Sequence, residues 1–147
     1  MDYVVLKDFS DTAQLNSEVF KQHQKEYQNM EYFTFRIESL KEKEELLKVG
    51  LKSESDYYSR IEYFSFKAQN DFKLIRGTDT LNCNLYHYER VYGLAPYATM
   101  LLGFPAQENK NTKQDMYLLF EDKTFKNGHI YLNIKQQDLA SIPTLQL

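Results

Sequence analysis

The feature that most constrains this chain is a change of period. Apolar residues recur every three to four positions near its start and every two positions afterwards. Leu15, Val19, His23, Tyr27 and Met30 follow the first spacing, while Glu18, Lys21, Gln24, Lys25 and Gln28 lie off the stripe. Asp11 and Gln14 stand three apart ahead of it, where side chains can satisfy free backbone N–H groups. This predicts an amphipathic helix from about residue 11 to 29. Phe33, Phe35 and Ile37 follow the second spacing and predict a strand with one buried face. The helix stripe must pack on something, and one face of a sheet fits it best.

The remaining chain extends the β reading. Residues 39–52 fit two patterns. In one, Ser39 and Glu42 cap a helix with Leu40, Leu47 and Leu51 on its stripe; in the other, Leu47, Val49 and Leu51 alternate as a strand. Tyr58 to Lys67 is dense in Tyr, Phe and Ile, and with Phe72, Leu74 and Arg76 it predicts a hairpin turning at Asn70-Asp71. Asn82 to Tyr92 fits a strand or a short helix, and its aromatic content favours the strand. Tyr97 to Phe104 is the most apolar run and predicts a central strand. Pro105 to Asp115 is polar and predicts an exposed loop. Met116, Leu118 and Phe120, then Ile130, Leu132 and Ile134, alternate on either side of Asn127-Gly128, a strong hairpin signal. The tail from Gln136, with Pro143, is expected to lie extended. The expected architecture is one α+β domain over residues 1–147. Its N-terminal amphipathic helix packs on a mostly antiparallel, aromatic-rich sheet of about five to seven strands.

With 12 Tyr and 10 Phe but no Trp, the core must be built largely from six-membered rings. Each can bury about 150–250 Å². Charge narrows the partners. Eighteen basic residues against 21 acidic ones give a net charge of −3. A nucleic-acid binder gains affinity from a basic surface that displaces counterions, so no nucleic-acid partner is expected. No stretch approaches the ~18 apolar residues that span a membrane, so no transmembrane segment is expected. Met1 to Lys7 lacks the basic and apolar pattern of a signal peptide.

Chemistry-bearing patterns are sparse. Gly50, Gly77, Gly93, Gly103 and Gly128 are scattered, whereas a phosphate-cradling loop clusters its glycines. His23, His87 and His129 lie far apart, and Cys83 is the sole cysteine. No metal, cofactor or internal disulfide is therefore expected. Cys83, His87 and Glu89 form one enzyme hypothesis. It requires a helix, because on a strand Cys83 and His87 would stand about 13 Å apart, too far to share a proton. No catalytic residue is assigned. Tyr86, Tyr88, Arg90 and Tyr92 share a strand face instead, and such residue types concentrate in interface hot spots. A helix covering this row would make it ordinary core.

Arg76-Gly77-Thr78-Asp79-Thr80, then Glu89-Arg90-Val91-Tyr92-Gly93-Leu94-Ala95-Pro96-Tyr97, then Leu101-Leu102-Gly103-Phe104, resemble poorly characterised envelope proteins of Bacteroidota, often lipid-anchored. The resemblance covers roughly the central third of the chain. It implies an exported domain that follows a lipidated cysteine not present in this sequence, and it carries no catalytic residues. A lone thiol suits a reducing cytosol equally well. The functional expectation is a non-enzymatic interaction domain, an accessory subunit of a larger cell-envelope assembly with a protein partner. The alternatives are a binder of a small apolar ligand between helix and sheet, and a cysteine-dependent enzyme.

Overall fold

The structure, a computed structural model, describes residues 29–40, 44–90, 95–106 and 114–142. The helix expected from about residue 11 to 29 lies outside the described residues but for Asn29, as do Tyr92 and the centre of the polar loop. The described chain is mixed helix and antiparallel sheet. Its strands are β1 (Met30–Glu38), β2 (Phe72–Arg76), β3 (Asp79–Asn82), β4 (Leu85–Glu89), β5 (Tyr97–Pro105), β6 (Met116–Asp122) and β7 (Gly128–Ile134). Helix α1 (Glu54–Glu62) continues through a π turn (Tyr63–Lys67) and a 3-10 turn (Ala68–Asp71) into β2. A short α2 (Gln136–Ala140) follows β7.

The single sheet expected from the alternation is two sheets. One has the order β1-β5-β4 and the other β3-β2-β6-β7, every pairing antiparallel. The chain passes from one to the other at Cys83-Asn84, directly after β3. Asn84 donates its N–H to the Gly103 carbonyl at 2.8 Å, and the Gln69 amide donates to the Cys83 carbonyl at 2.9 Å. Period-two alternation specifies an inward face but not which partner a strand takes, so one sheet and two read alike in sequence.

Alternation did place the inner faces. Phe35 lies opposite Met100 and Ile37 opposite Ala98, with Phe35, Ala98 and Met100 buried. From the other sheet, Phe72, Leu74, Leu118 and Phe120 point back at them. Phe35 meets Phe72 edge-on at 5.1 Å and Phe120 at 5.4 Å, and these two stack on each other at 4.5 Å. Among the described residues Phe64, Phe72, Phe104 and Phe120 are the fully buried rings, and each contributes about 1.5–3 kcal/mol relative to exposure. Tyr97 to Phe104 is the central strand of its sheet, as the apolar run predicts. Gly103 has no room for a side chain there, since a Cβ would come within 2.8 Å of the Met30 methyl and 2.9 Å of Leu85 Cβ.

Three expectations need correction. Tyr58 to Lys67 is helical rather than the first strand of a hairpin, and β2 pairs with β3 and β6 instead. Ser53 caps α1 by accepting the Asp56 N–H at 3.2 Å, while Tyr57, Ile61, Phe64 and Ala68 recur at helical spacing and pack inward. Aromatic β propensity yields here to a cap and a stripe. Residues 44–52 form only a 3-10 turn, Leu46–Lys48, that buries Leu46 and Leu47. It is tied to α1 by the Tyr57 hydroxyl, which donates to Glu45 at 2.9 Å. The tail also turns helical over Gln136–Ala140 before leaving the described residues.

Candidate functional site

The tyrosine row lies against the core. Tyr86 and Tyr88 sit on the inward face of β4, half-buried, while His87 and Glu89 are exposed on the other face. The Tyr86 hydroxyl donates to the Phe64 carbonyl at 2.6 Å, and the Tyr88 ring lies 5.8 Å from Phe64. Burial pushes both phenols above their usual pKa. Arg90 is exposed just beyond β4. The π turn thus packs against Tyr86 and Tyr88 through Phe64.

Cys83 is buried at the crossing between sheets, and its thiol donates to the Leu85 carbonyl at 3.0 Å. Burial raises its pKa, which lowers the thiolate character a cysteine nucleophile requires. His87 stands on strand β4 rather than a helical turn away. Among the described residues there is no group of three or more His, Cys, Asp or Glu able to hold a metal ion. No helix there is long and apolar enough to cross a membrane.

A polar cleft lies at the end of the two-sheet core where α1 faces the β6–β7 loop. Asp56, Ser59, Arg60 and Tyr63 recur at spacings of three, one and three, which gathers them on one helical face. Lys123, Thr124 and Lys126 face them from the loop, and Gly50 and Lys52 close the side, around a volume of about 430 Å³. Arg60 is held in place by the carbonyls of Leu47 at 2.9 Å and Val49 at 2.6 Å and lies over the Phe125 ring at 5.3 Å.

Two buried carboxylates behind the cleft hold residues that line it. Asp71 accepts from the Tyr63 hydroxyl at 2.6 Å and from the Lys123 ammonium at 2.6 Å. Burial, then the hydrogen bond to Asp71, drives the Tyr63 phenol far above its usual pKa; the same carboxylate raises that of Lys123. Asp122 accepts from the backbone N–H groups of Thr124, Phe125 and Asn127 and from the Asn127 amide, at 2.6–3.2 Å. That bonding winds residues 123–127 into the loop and leaves Lys126 at φ 62°, a backbone state non-glycine residues seldom adopt. The expected hairpin is present, but Gly128 opens β7 instead of sitting inside a two-residue turn. The alternation of 82–92 could show the tyrosine row, whereas the cleft draws on segments 50–63 and 123–126, which no local pattern connects.

At the other face of the β6–β7 hairpin, Tyr117 and Tyr131 point outward on neighbouring strands and are 42% and 58% exposed. β7 lies at the edge of its sheet among the described residues. Comparison of the chain with protein-family models, with curated proteins and with solved structures gives no match.

Proposed function

We propose that this chain is a non-enzymatic interaction domain, an accessory subunit whose partner protein adds an extended segment along β7. The observation that carries this reading is that β7 is an edge strand among the described residues. Gly128-His129-Ile130-Tyr131-Leu132-Asn133-Ile134 contains no proline and no Lys, Arg, Asp or Glu, the usual means of blunting a sheet edge. Leu132 is 44% exposed and Tyr131 more so. A row of backbone donors and acceptors flanked by aromatic and aliphatic side chains suits strand addition, in which main-chain bonds give affinity and neighbouring side chains give selectivity. A cell-envelope setting for that assembly rests on the sequence resemblance alone.

Light scattering coupled to size exclusion, together with a pull-down from native extract, tests the reading. The expected result is a reproducible partner lost in a Tyr131→Lys variant that stays folded. A strict monomer that retrieves nothing reproducible, or retrieves the same partner through Tyr131→Lys, would overturn it; self-association alone would replace the partner with a second copy of the chain.

A further inference from the structure

We propose that the cleft between α1 and the β6–β7 loop binds a small phosphate-bearing organic anion, independently of any partner at β7. Charge gives the first argument. Lys123 is matched by Asp71, with Glu121 3.5 Å away. Lys52, Arg60 and Lys126 remain, against the carboxylate of Asp56 on the lining and that of Asp122 beneath the loop. This local excess of positive charge stands on a chain whose net charge is −3.

Preorganisation gives the second. Among the described residues Arg60 has no anionic partner; two carbonyls and a ring fix its position, so its side-chain entropy has already been lost. Lys52 and Lys126 are exposed and form no ion pair among the described residues. Lys126 is held at positive φ by the Asp122-wound loop, so its side chain is directed by a specified backbone. A guanidinium, two ammonium groups and the hydroxyl of Thr124 match an anion with several acceptor oxygens better than a single carboxylate. The volume of about 430 Å³ falls in the usual small-molecule range of about 300–1,000 Å³ and leaves room for an organic portion beyond the anionic group.

The experiment titrates the full chain with inorganic pyrophosphate by calorimetry at low salt, with phosphorus NMR as a second readout. The expected result is saturable one-to-one binding that weakens by about tenfold or more in Lys52→Gln/Lys126→Gln. The control Lys67→Gln/Lys73→Gln, whose lysines engage Glu62 and Asn82 outside the cleft, should bind as the parent chain does. Circular dichroism confirms that each variant is folded. Absence of saturable binding at millimolar pyrophosphate overturns the proposal, as does equal weakening in both double variants or full retention in the first. None of these readouts involves β7 or a partner.

Discussion

The two ends of the core are both closed by charged side chains, and the charges are used differently. At one end Arg76, the last residue of β2, is buried and consumed: it donates to the Glu31 carboxylate, to the Pro105 carbonyl at 3.1 Å and to Met116 sulfur at 2.9 Å. Those partners come from β1, β5 and β6, so one guanidinium ties the two sheets together. At the other end Asp71 and Asp122 are the buried ions, and they organise cations that face open space. A charge whose partners are all internal fixes structure, whereas charge left over at a preformed cleft is available to a ligand.

The largest effect should come from breaking the consumed end. Arg76→Ala strands the Glu31 carboxylate and should lower stability by about 3 kcal/mol, read as a shifted urea midpoint with an unchanged slope. Replacing both partners, in Arg76→Met with Glu31→Gln, should recover much of that loss. The cleft end should respond less. Asp71→Asn weakens the acceptor for Tyr63 inside the protein but leaves Lys123 able to turn to solvent, so the cost should be about 2 kcal/mol in the same assay.

Alkali separates the ends further. The Tyr63 phenol is raised in the folded chain, so its stabilising effect is complete below the unfolded value of about 10 and is lost as pH climbs above it. Stability should fall by about 1.4 kcal/mol for each pH unit beyond that point on account of this group, and Tyr63→Phe should flatten the slope by that amount. The smallest effect should be Lys126→Gly, which relieves the positive-φ backbone and offsets that against a floppier unfolded chain. A gain of about 0.5 kcal/mol in thermal unfolding is expected, together with weaker pyrophosphate binding.

Much of the β architecture was legible. Phe33, Phe35 and Ile37 alternate because one face of β1 is buried, and Tyr97 to Phe104 runs apolar because β5 has a neighbour on each side. The hairpin around Asn127-Gly128 was legible for the same reason. Helix α1 was misread although Ser53 and Asp56 stand at capping distance, because Tyr57, Tyr58, Ile61, Tyr63 and Phe64 have the composition of a strand. Composition outweighed spacing in that reading, and the spacing of Tyr57, Ile61, Phe64 and Ala68 was the better guide. Tyr86 and Tyr88 of the tyrosine row do share the inward face of β4, but only the fold shows that Phe64 of the π turn packs against them. The cleft was not legible at all, because Arg60 and Lys126 are brought together by the Asp122-wound loop and by carbonyls at Leu47 and Val49 rather than by any sequence period.

The strand order also governs how the protein can be made. β1 ends at Glu38, and its partner among the described residues, β5, begins only at Tyr97. A nascent chain leaving the ribosome therefore displays Phe33, Phe35 and Ile37 before β5, their mate among the described residues, emerges. At about 5–20 residues per second that interval lasts about 3–15 s, ample time for a molecular chaperone to engage the waiting strand. Such distant pairing also slows closure of the first sheet even after synthesis is complete.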